Sequence, residues 1–240
     1  MTRATAPSAS QAVYDAVAAG LGKFRREDVV ERPFGGPRGN AQLTAWTGLL
    51  LFVLFAAEGI TIVSLRGLLT WHIAIGAILI PVALLKTAST SWRIVRYYAR
   101  SRTYVQAGPP PLLLRLLGPL VILTTLAVLG TGVMLIVVGP TDRGGIWLAL
   151  HKVTFVLWFA VMAAHVLTRL LPALLTVREG TRTRERVPGR WGRATALIAS
   201  VAVGVILAIV LVRADGAWAA IAGHGEGEGG PGSTSISTGH

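Results

Sequence analysis

Three histidines of this 240-residue chain lie inside long apolar stretches, at His72, His151 and His165. A polar ring in hydrocarbon is costly unless it is paired, so a histidine inside a membrane span is a candidate functional residue. Two neutral imidazoles on facing helices can hold the iron of a haem b without covalent attachment. The structural alternative is that each ring hydrogen-bonds a neighbouring helix and only stabilises the packing.

His72 and His151 are predicted to lie at one depth of the membrane. The second apolar stretch starts near residue 68 and the fourth near residue 146. At 1.5 Å per residue, His72 then lies about 6 Å and His151 about 8 Å below the same membrane surface. The two residues are therefore the predicted pair of axial metal ligands.

A second level is indicated by a repeated spacing of fourteen residues, nearly four helical turns, which places two residues on one helix face about 21 Å apart. The spacing occurs in His72 and Lys86, in Gly118 and Gly132, and in His151 and His165. Glycine lets a flat macrocycle approach the backbone, although it serves helix packing equally well. Gly132 thus joins the first site, while His165, Lys86 and Gly118 form a tentative second one.

The elements that must position these residues are membrane helices. The chain is 52% hydrophobic and 14% charged, with a mean hydropathy of +0.60, which is too apolar for an ordinary soluble domain. About 20 apolar helical residues cross a bilayer, and five stretches are long enough: 43–63, 68–88, 116–138, 146–170 and 194–212. The predicted fold is an all-α membrane protein with five transmembrane helices, the first four of which form the haem-binding bundle.

The chain contains no cysteine. Disulfides, thiolate zinc sites, iron–sulfur clusters, thioether-attached haem and cysteine nucleophiles all need sulfur and are excluded. Any bound metal must therefore use nitrogen or oxygen ligands.

Lysine and arginine alternate between the predicted connections, and the positive-inside rule converts this pattern into an orientation. Six lie before residue 43, six between residues 86 and 115, and seven between residues 168 and 193. The intervening connections and the C-terminal tail hold one each, namely Arg66, Arg143 and Arg213. The pattern predicts a multi-pass protein of a bacterial-type cytoplasmic membrane with a cytoplasmic N-terminus and an extracytoplasmic C-terminus. The net charge of +12 is then an orientation signal, and nucleic acid is excluded as a partner.

The remaining segments follow from composition. Residues 1–42 form a cytoplasmic segment in which Val13, Val17, Leu21 and Phe24 repeat at helical spacing, which predicts an amphipathic helix on the membrane or against a partner. The core spans residues 43–175, a basic cytoplasmic loop spans 176–193, and the fifth span covers 194–212. Residues 213–240 are rich in Gly and Ser and are predicted to be a disordered extracytoplasmic tail.

The segment HKVTFVLWFAVMAAH, together with WHIAIGAILIPVALLK on a parallel span and the spacing of Gly118 and Gly132, resembles bacterial membrane b-type cytochromes. These include the cytochrome b/b6 group and the cytochrome b subunits of formate dehydrogenases and hydrogenases. The likeness covers about residues 43–175. It implies haem b held by His72 and His151, exchange of electrons with quinone, and a redox partner subunit.

The sequence departs from that family at Lys86, where a second ligand helix would carry another histidine. We expect one haem, with His165 as a packing residue and Lys86 extended toward the cytoplasmic head groups. Two haems stay open, either with Lys86 or an unidentified residue as the other ligand, or with the second haem held across the interface of an oligomer.

Polar residues near the extracytoplasmic end complete the predicted site. Arg66, Arg143 and Lys152 are candidate partners of haem propionates, or else interfacial anchors. Glu58 lies close in depth to the histidine pair and is a tentative acceptor of protons from quinol. Its alternative role is a hydrogen bond to a neighbouring helix.

The leading function is that of an electron-transfer subunit of an oxidoreductase complex. The sequence carries no paired carboxylates, nucleophile–base pair or Walker-type loop, so a self-contained hydrolase or transferase is not predicted. Two alternatives stay open. One is a haem-free transporter or channel lined by the histidines and Glu58. The other is a membrane anchor for a soluble partner.

Overall fold

The computed structural model describes residues 8–23, 28–31, 33–106, 112–139, 142–182 and 187–214, without the side chains of residues 142–144, 181 and 182. Within these residues every regular element is a helix. The elements are α1 (Ala9–Gly20), α2 (Gly36–Val63), α3 (Leu65–Tyr98), α4 (Arg102–Gln106), α5 (Leu112–Val138), α6 (Asp142–Arg182) and α7 (Arg190–Ala214).

Five of these helices, α2, α3, α5, α6 and α7, are long and apolar enough to cross a membrane. Their apolar windows have mean hydropathies of 1.8 to 2.8, yet only 6% to 28% of each window is buried inside the protein. Apolar side chains that face outward on this scale require lipid around them, because water would make their exposure costly. The predicted all-α membrane protein with five spans is confirmed.

The helices continue beyond the predicted spans. The span predicted over 68–88 belongs to α3, which runs on to Tyr98, and the span predicted over 146–170 belongs to α6, which runs on to Arg182. Part of the segment predicted as a basic loop, 176–193, is therefore helical, while residues 183–186 lie outside the described part. Hydropathy marks where a chain enters lipid, whereas a helix with good local propensity continues until a backbone break.

The breaks themselves are local. Only Ser64 separates α2 from α3, which makes these helices an antiparallel hairpin. After α5, Gly139 adopts a φ of 71° and donates its N–H to the Leu135 carbonyl at 3.0 Å, a left-handed cap that glycine accepts without strain.

Helices α2, α3, α5 and α6 enclose the interior, and α7 packs outside them against α3. The tightest core lies in the α2–α3 hairpin, where Leu51 contacts Leu79, Val82 and Ala83. The bundle has a His72 end, where α2 ends and α3 begins, and a Lys86 end toward the opposite membrane surface. These two names are used below.

Helix α1 packs against α6 and α5. Its small residues Ala16, Ala18 and Gly20 are buried, whereas the predicted apolar face is exposed, with Val13 54% and Val17 52% accessible. The helix ends at Gly20, earlier than the amphipathic pattern indicated, and Phe24 lies outside the described residues. The large apolar side chains thus remain available to lipid while alanines make the contact with the bundle.

Candidate functional site

His72 on α3 and His151 on α6 meet at the His72 end of the bundle. Their ring centroids are 6.4 Å apart and their planes are inclined by 81°. Both residues are half-buried. Two imidazoles that are 79 residues apart in sequence thus lie next to each other at one level, as the depth argument predicts.

The hydrogen bonds around His72 fix which ring nitrogen carries the proton. Thr61 donates its hydroxyl hydrogen to the carbonyl oxygen of Glu58 at 2.6 Å, and its Oγ1 lies 3.0 Å from Nδ1 of His72. Because a hydroxyl has a single hydrogen, Thr61 must accept at this contact. This arrangement favours the tautomer of His72 that carries its proton on Nδ1 and keeps a lone pair on Nε2.

His151 is held in the same way by α5. Thr131 shares its one hydroxyl hydrogen between the carbonyl oxygens of Ala127 and Val128 at 2.8 and 3.1 Å, and its Oγ1 lies 3.1 Å from Nδ1 of His151 and 3.2 Å from Oγ1 of Thr154. This arrangement favours a ring that donates through Nδ1, which again leaves Nε2 unprotonated. Gly132 lies directly against this ring, since a Cβ placed there would stand 3.3 Å from Cε1 of His151.

The spacing of the two rings fits the axial ligation of a haem iron. Two iron–nitrogen bonds of about 2 Å, with about 1.1 Å from each nitrogen to its ring centre, separate two centroids in line by roughly 6.2 Å. The observed 6.4 Å is close to this value. In addition, each ring has an outer hydrogen bond through Nδ1, the arrangement that orients metal-ligating histidines. No cluster of three or more His, Asp or Glu residues occurs within the described part, so a site built solely from protein ligands lacks support there.

Glu58 contacts the ring of His72, with Oε1 3.1 Å from Nδ1. Its side chain is only 14% exposed, and Oε2 is buried without a hydrogen-bond partner. Glu58 thus contacts a residue of the neighbouring helix α3, as its alternative role requires. The role of proton acceptor for quinol stays a prediction.

The predicted propionate partners are spread over the same end. Arg66 in the first turn of α3 and Lys152 beside His151 have exposed side chains. The side chain of Arg143 lies outside the described part of the chain. The structure thus places two of the three cations at the level of the histidine pair.

The tentative second site lies along a cavity of about 390 Å³ between α2, α3, α5 and α6. Lys86, His165 and Gly118 all line it, and a Cβ at Gly118 would meet open space. Lys86 differs from expectation, because its Nζ donates to the Thr44 carbonyl on α2 at 2.9 Å instead of extending to the head groups. The ammonium of Lys86 can turn inward because Gly48 has no side chain. A Cβ at Gly48 would stand 2.9 Å from Nζ of Lys86.

Trp158 lies between the two levels, seven residues from both His151 and His165 on α6. Its Nε1 donates to Oγ1 of Thr125 at 3.1 Å, and its ring lies 4.7 Å from that of Phe55. At two helical turns from each histidine, the indole occupies the same helix face as both of them.

Sequence reasoning missed Thr61, Thr131 and Arg169. Thr61 and Thr131 accept from the histidine rings, and Arg169 joins Lys86 at the second cavity. The sequence did contain a signal for the two threonines, because each lies on a neighbouring helix at the depth of a histidine. Thr131 is adjacent to Gly132, and Thr61 comes three residues after Glu58.

Comparisons of the chain with protein-family models, with curated proteins and with solved structures give no match.

Proposed function

We propose that this membrane protein is a b-type cytochrome that carries electrons through one haem b bound by His72 and His151. The observation that supports the proposal is the pair of imidazoles on two different helices, with ring centroids 6.4 Å apart and with Nδ1 of each ring beside a threonine hydroxyl. Neutral imidazoles with a free Nε2 are the ligands that such an iron requires.

The haem would supply one-electron chemistry, and the residues of the chain would bind it and set its surroundings. Thr61 and Thr131 orient the two rings by accepting their Nδ1 hydrogens. Gly132 leaves the ring of His151 without a neighbouring side chain to displace it. Arg66 and Lys152 provide positive charge for the propionates at the edge of the site.

The resemblance to bacterial membrane cytochromes supports quinone as one electron partner and a further subunit as the other. The distribution of Lys and Arg supports an orientation in a bacterial-type cytoplasmic membrane with the histidine pair near the extracytoplasmic surface. The chain would then serve as an electron-transfer subunit of an oxidoreductase complex.

The test is an absorption spectrum of the purified chain, reduced minus oxidised, with haem counted per chain. One haem b with a low-spin spectrum is expected, because two axial imidazoles complete the coordination of the iron. His72→Ala and His151→Ala should each abolish this signal.

His165→Ala is the matched control, because it removes the same ring from the same helix as His151 at the other level. It should retain the haem spectrum. A colourless wild-type protein, or a full low-spin spectrum in either first-site variant, would contradict the proposal.

A further inference from the structure

The cavity at the Lys86 end combines apolar walls with a concentration of positive charge. Aromatic and aliphatic side chains, among them Phe52, Phe159 and Met162, form most of its lining. The basic residues Lys86, His165 and Arg169 line the part toward the Lys86 end. Such a cavity is amphiphilic along its length.

Within the described part of the chain, no carboxylate pairs with either cation of this cavity. Lys86 uses one of its three hydrogens on the Thr44 carbonyl, and no described residue forms a hydrogen bond or ion pair with Arg169. Lys86, His165 and Arg169 line the same cavity. Asp28 and Glu179 pair elsewhere, with Arg93 and Arg38, and Glu58, which lines the cavity toward the His72 end, contacts the ring of His72.

Two uncompensated cations inside a membrane bundle are costly, because the low dielectric weakens screening and desolvates both charges. An anion between them removes this cost. The arginine guanidinium favours a tetrahedral oxyanion, since its planar fork donates two parallel hydrogen bonds to phosphate oxygens.

The depth of the cations indicates where this anion comes from. Lys86 lies twenty-one residues after Leu65, the first residue of α3, or about 32 Å along the helix axis. The hydrocarbon core is about 30 Å thick, so the backbone of Lys86 lies at the edge of the hydrocarbon on that side, close to the lipid phosphates, while its ammonium turns into the cavity. Basic pockets between membrane helices are known binding places for acidic phospholipid head groups.

We propose that the cavity binds one acidic glycerophospholipid, with its phosphate between Lys86 and Arg169 and acyl carbons along the aromatic wall. His165 contributes a ring nitrogen to the head group. Gly118 keeps space open, because a Cβ there would meet nothing within 4 Å, and Gly48 leaves room for the ammonium of Lys86. This site is independent of the proposed haem, since none of its basic residues contacts His72 or His151.

The experiment uses the full chain, purified in a mild detergent and examined by native mass spectrometry. Wild-type protein should retain one phosphatidylglycerol per chain when offered equal amounts of phosphatidylglycerol and phosphatidylcholine. Lys86→Met and Arg169→Gln remove one charge each at similar side-chain size. Each should lower phosphatidylglycerol affinity by roughly tenfold or more, because one charge-assisted hydrogen bond is lost.

Arg102→Gln is the control for a general loss of charge. Arg102 is exposed on α4, outside the cavity, and the substitution changes the net charge equally. Its lipid retention should match wild type. Arg169→Lys, which keeps the charge, should recover part of the binding and guards against a folding defect in Arg169→Gln.

Three results would overturn the proposal. Inorganic phosphate alone could displace phosphatidylglycerol and stabilise the protein equally, which would indicate a site for free anions. Wild type could retain both lipids without preference. A second haem could be found per chain and be lost in Lys86→Met and His165→Ala, which would assign the cavity to that haem.

Discussion

Thr131 orients the ring of His151, one of the two proposed ligands. Its hydroxyl hydrogen is used within α5, so its oxygen is placed to accept from Nδ1 of the ring. That contact favours a proton on Nδ1 and directs Nε2 by a hydrogen bond as well as by packing. Thr61 does the same for His72, so each proposed ligand is oriented from a neighbouring helix.

Thr131→Val should weaken haem binding, because it removes the acceptor for Nδ1 at nearly unchanged volume. Outer partners of metal-ligating histidines contribute about 10- to 100-fold to affinity. We expect a loss of at least tenfold, measured by transfer of haem from the purified protein to an apoprotein acceptor.

Thr124→Val is the matched control on the same helix. Thr124 bonds only to carbonyls of its own α5, at Leu120 and Val121, and touches neither histidine. Thr131→Ser should restore the wild-type transfer rate. Equal rates in Thr131→Val and Thr124→Val would contradict the role assigned to Thr131.

The histidine pair could be predicted from sequence because depth along a membrane helix is simple arithmetic. The side-chain contacts around the two levels could not be predicted. Whether Lys86 extends to the head groups or turns inward depends on space at Gly48, which belongs to another helix. Likewise, the contact of Glu58 with His72 depends on how α2 and α3 are rotated against each other.

Contact between α3 and α7 depends on one glycine. A Cβ at Gly204 would stand 2.8 Å from Cα and 3.1 Å from the carbonyl oxygen of Ile78, both of them backbone atoms that cannot turn away. The fifth span can therefore approach the bundle closely only because residue 204 has no side chain.

Gly204→Ala should destabilise the protein, because α7 must move away from α3. Overpacking of this kind costs about 1–3 kcal/mol, which corresponds to a lowering of the unfolding temperature by roughly 2–10 °C for a chain of this size. Thermal unfolding in one detergent, followed by circular dichroism, measures the difference.

Gly192→Ala provides the comparison on the same helix. Nothing lies within 4 Å of a Cβ at Gly192, so only the gain in helix propensity remains. Its unfolding temperature should equal or exceed that of wild type. If both alanine variants unfold at the wild-type temperature, the close approach at Gly204 contributes nothing.

The element boundaries show what hydropathy could and could not indicate. All five spans were predicted, because each contains more apolar residues than a soluble helix needs. The continuation of α6 to Arg182 was missed, since charged residues end a span but not a helix. The apolar part of α6 and its basic part therefore belong to one continuous helix.

The molecule as a whole has a testable orientation. The absence of cysteine makes it possible to place single cysteines at Gly108, Arg184 and Gly223 without a background signal. A membrane-impermeant maleimide added to intact cells should label only the protein with a cysteine at position 223. The other two should react only after the membrane is opened, because the lysines and arginines around them favour the cytoplasm.

The reverse labelling pattern would exchange the two surfaces. It would move the histidine pair to the cytoplasmic surface and the basic cavity to the opposite leaflet. The helices, the ligand geometry and the lipid cavity would be unchanged, so this experiment tests the orientation separately from the two proposals.

Helix α6 passes both levels without interruption. His151, Trp158 and His165 follow one another at seven-residue intervals, and the proline of this helix, Pro172, comes only after all three. Sharp bends in helices arise mainly at prolines, so this stretch holds the two levels at a fixed separation of about 21 Å. Arg169 lies beyond it, in the turn that Pro172 disrupts, and can adjust its position without displacing His151. A molecule bound at the Lys86 end can therefore be exchanged while the histidine pair keeps its geometry.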